Sequence, residues 1–299
     1  MAIQERVVLP QLKDPVLISA FAAAHKGGGT ATGALEYLLN AWGAQQIAEF
    51  DAEECYNYAR IRPYVVRQNG QATVSWPTNT VYLVNAPDSE RSFLFLIGVE
   101  PSMHWRSFAE GIAQFALRAG VRTAIALRSM PGSVTHTQPA QLQAIYSNPS
   151  MAEGFGITAI ADSHGPLDIG GLINLNLSAM GCDTVDVLAL EPFYTAAVPD
   201  ARAGLAMLDA LSGAFGWNLP REQLVAMAEA QYAAIEASVN ASEQAQALVR
   251  ALEQQAGGSI ATQQMALPQA NETPLQAEDA AAAVDEVEAM LREFRSQAD

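Results

Sequence analysis

Apolar residues recur along this chain at two spacings, and their alternation predicts an architecture. "VLISAF" (16–21), "TVYLVNA" (80–86) and "FLFLIGV" (93–99) are short apolar runs dense in β-branched and aromatic residues, the composition of buried strands. "FLFLIGV" offers no polar position to water, which suits the middle of a parallel sheet covered on both faces. "TGALEYLLNAW" instead sets Leu35, Leu38, Leu39 and Trp42 at helical spacing, and "WRSFAEGIAQFALRAG" does the same with Phe108, Ile112, Phe115 and Ala116 before Gly120. "VRTAIALRSM" then returns to strand and closes a βαβ unit. "GGLINLNLSAMG" and "DTVDVLALEPF" repeat the helix–strand order, and "ARAGLAMLDALSGAFG" adds a helix. "YVVRQNGQATVSW" reads as a β-hairpin, because Asn69 and Gly70 both accept positive φ and β-branched residues flank them. Together these segments predict an α/β fold: a three-layer α/β/α sandwich with a mostly parallel mixed sheet over residues 1–219.

The pattern changes at Pro220. Residues 220–256 read as one long helix packed on or extending from the core, with Leu224, Ala228, Tyr232, Ile235 and Val239 along one side. Residues 257–277 lack periodicity and are rich in Gln, Thr, Pro and Gly, a linker composition. Residues 278–299 predict an acidic C-terminal helix whose Val284, Val287, Leu291 and Phe294 form a narrow apolar seam. A short isolated helix is marginal in water, so the seam calls for a partner.

Charge sharpens this division. Residues 1–219 carry 19 acids and 12 bases, whereas residues 220–299 carry 13 acids and 4 bases. A chain of net charge −16 repels phosphate backbones, so neither nucleic acid nor an anionic membrane is an expected partner. No run approaches the ~18–20 apolar residues of a membrane helix, and "MAIQERVVLPQLKDP" lacks signal-peptide character, so a soluble cytoplasmic protein is expected. Cys55 and Cys182 stand far apart with no CxxC spacing, which predicts two free thiols.

"HKGGGTATGALEYLL" (25–39) has the strand, glycine turn and helix order that can cradle a phosphate. The details argue against it. Gly33 is followed by Ala34 and Leu35 where a P-loop needs Lys and Ser or Thr, and Thr30 stands where GxGxxG needs glycine. The glycines are therefore read as architecture: Gly27 to Gly29 turn the chain, Thr30 caps the helix, and Gly33 permits close packing. No cofactor is expected.

Two apolar strands end in Glu-Pro, at Glu100-Pro101 and Glu191-Pro192. Carboxylates at the carboxyl ends of strands sit where ligand crevices form in open α/β sheets. His104 and Arg106 follow the first, and Arg128 and His136 follow the next strand, so these six residues form a candidate crevice for acid–base work or ligand binding. The competing reading is that the acids accept hydrogen bonds from loop backbone or arginines. His25, His104, His136 and His164 show no metal-ligand spacing, and Ser163 beside His164 lacks a nucleophile elbow, so neither a metal nor a serine nucleophile is expected. Tyr56, Tyr58, Arg60, Arg62 and Tyr64 in "CYNYARIRPY" form an aromatic–arginine cluster of the kind favoured at protein interfaces, or else an ordinary surface.

"GGGTATGALEYLL", "FDAEECYNYARIRPYV", "LIGVEPSMHWRSFAEGI", "GVRTAIALRSMPGSVTHTQP" and "EPFYTAAVPDARAGLAML" recur in the order found in the proteasome assembly chaperone 2 family, and the chain resembles its actinobacterial branch over about residues 10–215. The resemblance implies a phosphorylase/hydrolase-like α/β/α sandwich. It implies an assembly or binding role in place of catalysis, protein partners that include proteasome-related ones, and a homo-oligomer such as a trimer. Family members that engage proteasome rings often end in a hydrophobic–tyrosine–any tripeptide. This sequence ends Gln297-Ala298-Asp299, so docking by that route is not expected. The alternative is a binding protein for a nucleoside- or phosphate-type small molecule, or a hydrolase- or phosphorylase-like enzyme, using the strand-end crevice.

Overall fold

A computed structural model of the chain describes residues 4–7, 9–22, 29–51, 53–68, 70–160, 166–195 and 198–256. The strands are β1 (Gln4–Val7), β2 (Val16–Ala22), β3 (Ala44–Asp51), β4 (Tyr64–Gln68), β5 (Gln71–Ser75), β6 (Asn79–Val84), β7 (Phe93–Val99), β8 (Thr123–Gly132), β9 (Gln141–Tyr146) and β10 (Asp183–Pro192). The helices are α1 (Thr30–Trp42), α2 (Trp105–Arg118), α3 (Ala152–Phe155), α4 (Ile169–Ala179), α5 (Ala201–Phe215), α6 (Arg221–Asn240) and α7 (Glu243–Ala256).

The main sheet has eight strands in the order β1-β3-β6-β7-β2-β8-β10-β9. Its four central strands, β7-β2-β8-β10, run parallel, while β1, β3, β6 and β9 attach antiparallel at the two sides. The arrangement follows from composition. β7 and β2 are almost wholly apolar and need cover on both faces, and helices supply it. On one face Ile18, Phe95, Ile125 and Val187 pack under Leu35 and Leu38 of α1 and Met207 and Leu211 of α5. On the other, Leu17, Leu94, Leu96 and Ala124 pack under Phe108 and Ile112 of α2 and Ile173 and Leu177 of α4. The fold is the expected α/β/α sandwich with a mixed sheet and a helical C-terminal part.

Three local expectations are corrected. Residues 220–256 form two helices in place of one, because Ser242 starts α7 by accepting the Ala245 N–H on its hydroxyl (3.3 Å) while α6 closes at Asn240. Thr30 is the first residue of α1, and its hydroxyl instead accepts the Asp200 N–H (2.8 Å), tying α1 to the start of α5. Gly33 has open space where a Cβ would lie, and the close approach is at Gly29, where an added Cβ would lie 3.0 Å from Pro199 Cγ. Gly27 and Gly28 lie outside the described residues.

The hairpin forms as read, with Gly70 at φ 78°, while Asn69 lies outside the described residues. It stands apart as its own two-stranded ribbon, and no residue of β4 or β5 is buried. The opposite side of the main sheet is finished differently. Ala144 of β9 donates its N–H to Thr158 O (3.3 Å) and accepts the Ile160 N–H (2.8 Å), so residues 158–160 lie along the outer edge of β9.

Candidate functional site

Glu100 follows β7 and turns to the face covered by α2 and α4. Its Oε1 accepts the Ile169 N–H at 3.1 Å, at the first turn of α4. Asp168 caps the same helix, with Oδ1 accepting the Gly171 N–H at 2.7 Å, and Oδ2 pairs with Arg128 Nη1 at 3.1 Å. A helix start leaves N–H groups without intrahelical acceptors, and the two carboxylates supply them. Half-burial raises the Glu100 carboxyl above its usual range, the Ile169 hydrogen bond opposes this, and the Asp168 charge adds to it. Further along that face, Asp186 accepts from Asn174 Nδ2 at 2.7 Å, and burial raises its carboxyl too.

Glu191 turns the other way. It closes β10 on the face of Val185, Val187 and Ala189, is 1% exposed, and its Oε1 has no hydrogen-bond partner. Burial raises its carboxyl above the usual range, more than the nearby Thr30 and Ser129 hydroxyls lower it. Three inter-strand steps separate β7 from β10, about 14 Å at the usual sheet spacing. The two glutamates therefore do not form a pair. Side chains alternate across a strand, and Glu100 and Glu191 fall on opposite parities in register with β2 and β8.

The structure divides the other crevice residues in the same way. Arg128 joins Glu100 at the start of α4 through Asp168. His104 and Arg106 are exposed at the start of α2, where His104 sits at φ 57° and its carbonyl accepts the Phe108 N–H. His136 is buried elsewhere, beyond β8. Its Nδ1 meets the Tyr194 hydroxyl at 2.7 Å and its Nε2 meets Glu236 Oε1 of α6 at 3.2 Å. Arg202 of α5 donates to the His136 carbonyl and lies over the Tyr232 ring of α6, at 5.1 Å. Glu253 of α7 accepts from the Thr137 hydroxyl at 2.6 Å. One small loop thus holds α5, α6 and α7 together, beside a small cavity lined by Val134, His136, Asp200, Arg202 and Tyr232. Desolvation lowers the His136 imidazole below its usual range against the pull of Glu236.

The aromatic–arginine cluster is split by depth. Tyr56 is buried, donates to Val99 O at 2.8 Å and accepts from Asn79 Nδ2, so it is a core residue and not a surface one. Tyr58 is half-buried and meets the Trp76 ring edge-on at 5.2 Å. Arg60, Arg62 and Tyr64 are exposed. The exposed apolar surface extends onto Val65 and Val74 of the ribbon and Trp76 just after it, which the sequence reading did not single out. Tyr194, Asp168 and Glu236 were also missed. Only Asp168 carried a local signal, as an Asp just before a helical run. His25, Ser163, His164, Val284, Val287, Leu291 and Phe294 lie outside the described residues.

Among the described residues no three His, Cys, Asp or Glu gather closely enough to hold a metal ion. No described helix is long and apolar enough to cross a membrane.

A search of curated proteins returns no match. Solved structures do match. The chain is similar to a Mycobacterium tuberculosis protein of unknown function, Rv2714, at TM-score 0.73 and 26% identity, over 81% of this chain and 82% of that one. It is similar to the M. tuberculosis proteasome-assembly chaperone homologue Rv2125 at TM-score 0.69 and 26% identity, covering 78% and 99%. A PAC2 family protein from Streptomyces avermitilis gives TM-score 0.69 and 27% identity, covering 79% and 100%. The PAC2 family pattern itself matches residues 21–239, most of the α/β/α sandwich and α6. On that match, the chain belongs to the PAC2 family.

Proposed function

We propose that this chain works by binding other proteins, as a non-catalytic, self-associating assembly protein of the chaperone kind. The observation that carries the reading is the family match together with the likeness to a proteasome-assembly chaperone homologue over 99% of that chain. The chemistry of the strand ends supports it. Glu100 caps a helix, Arg128 is ion-paired, and His136 is hydrogen-bonded on both ring nitrogens. Side chains committed in this way are poorly placed to act on a substrate. Proteasome-related proteins head the partner classes, the cytoplasm is the expected location, and a trimer is the expected assembly. Light scattering tests self-association: a mass three times 31.8 kDa supports the trimer, and a mass of 31.8 kDa at micromolar protein overturns self-association. Co-purification with proteasome core particles tests the partner class.

A second reading, a small polar ligand at the ends of β8 and β10, is favoured by one observation. Glu191, 1% exposed, keeps its Oε1 without a hydrogen-bond partner at the end of β10. A thermal-shift screen with nucleosides, nucleotides and phosphorylated sugars separates the readings, because a ligand that binds the native state raises Tm.

A further inference from the structure

The β4–β5 ribbon has features that point to a specific occupant. Val65 and Val74 stand directly opposite each other and are 57% and 51% exposed. Trp76, diagonal to Val65 on the same side, is 52% exposed and rests on Tyr58. A two-stranded ribbon with an uncovered apolar face is marginal in water. The ribbon is also the basic exception in an acidic chain: residues 57–78 contain Arg60, Arg62 and Arg67 and no acid. All three arginines are exposed.

The C-terminal segment has the complementary chemistry. Val284, Val287, Leu291 and Phe294 step by about one helical turn each, and Asp285, Glu286, Glu288 and Glu293 flank them against a single base, Arg292. We propose that this segment, residues 284–294, docks on the β4–β5 ribbon of its own chain. Its apolar seam covers Val65, Val74 and Trp76, and its carboxylates face Arg62 and Arg67. The tether permits it. Residues 257–283 reach up to about 90 Å if extended, several times the ~19 Å radius of gyration of a globular chain this long. A net-negative core argues against self-docking in general, but the acid-free ribbon removes that objection at this one place. The inference does not depend on the assembly reading above.

Cysteine pairing in the full-length protein tests it. Val65→Cys with Leu291→Cys should oxidise to an intramolecular disulfide about tenfold faster than Leu175→Cys with Leu291→Cys, since Leu175 is equally exposed but lies on α4. High salt should narrow the difference, because it screens exposed charges. Equal rates for the two pairs overturn the proposal. So does a Val65→Cys variant that links only to a neighbouring chain, since a second copy then occupies the ribbon. Hydrogen exchange on the unaltered chain gives an independent reading. Residues 284–294 should be protected at low salt and lose that protection in Arg62→Glu/Arg67→Glu, and unprotected wild-type residues there also overturn it.

Discussion

Gly98 of β7 and Asn79 of β6 face each other across an antiparallel pair with no room for a side chain on the glycine. A Cβ there would lie 2.9 Å from Asn79 Cα and overlap the Asn79 amide. That amide donates to the Tyr56 hydroxyl, which in turn donates to Val99 O, so the glycine makes room for a buried polar chain.

Gly98→Ala should therefore cost about 2–4 kcal/mol, from overpacking and from displacing a buried hydrogen bond. Urea unfolding measures it. In a cycle with Asn79→Ala the two losses should not add, because each change disrupts the same contact.

The position of His136 makes stability depend on pH in a definite sense. Its folded-state pKa is depressed, chiefly by burial, so the unfolded chain takes up the proton first as pH falls. The contribution is complete above 6.5, the ordinary histidine value, and is lost as pH falls through the folded-state value. Glu236, Glu253, Tyr194, Tyr232 and Arg202 face the ring, and Glu236 opposes the depression while Arg202 adds to it. Urea melts between about pH 7.5 and 5 should show a smaller slope in His136→Gln than in wild type.

Glu191→Gln should leave the fold intact and raise stability by about 0.5–1.5 kcal/mol at pH 7, since a buried carboxylate without full hydrogen bonding is costly. The sign of the pH effect is opposite to that of His136. A raised carboxyl pKa gives stability that is present at low pH and lost as pH rises through the folded value, and the amide removes that loss. Glu100→Gln should change stability by less than about 1 kcal/mol, because the amide oxygen can still accept from Ile169. A loss above ~3 kcal/mol for Glu191→Gln would mean a paired charge, as in a broken buried ion pair.

The helices α6 and α7 share a small core of their own, in which Ile235, Val239, Leu248 and Leu252 pack with Tyr194 and Val198. Leu252→Ala should cost about 2–3 kcal/mol locally. Hydrogen exchange should show α7 opening before the central strands, as expected where few apolar contacts hold an element.

The layered fold was legible because its central strands and main helices bury whole faces, so their periodicity is clean. Leu35, Leu38, Phe108, Ile112 and Phe115 all lie where their spacing places them. The outer strands gave weaker signals. β3 escaped notice because a bulge between Gln46 and Ala48 buries Ile47 and Ala48 in succession, which breaks the two-residue alternation. The break between α6 and α7 was written in Asn240-Ala241-Ser242, but the alanine-rich helix around it hid a cap with no glycine or proline. The candidate site was less legible. Two Glu-Pro endings look alike in sequence, yet strand register sends one carboxylate to α4 and the other toward Thr30. Tyr194 and Glu236 meet His136 only through tertiary folding across 58 and 100 positions.

The stretch at 158–160 that lies along β9 has a consequence for the protein under stress. An open strand edge is a template on which other chains can polymerise, and here two backbone hydrogen bonds at Ala144 occupy part of it. A protease cut that releases this stretch would bare β9 while leaving the rest of the sheet intact. The nicked protein should then form fibres or precipitate under conditions where the whole chain stays clear, with aggregation starting from one identifiable strand.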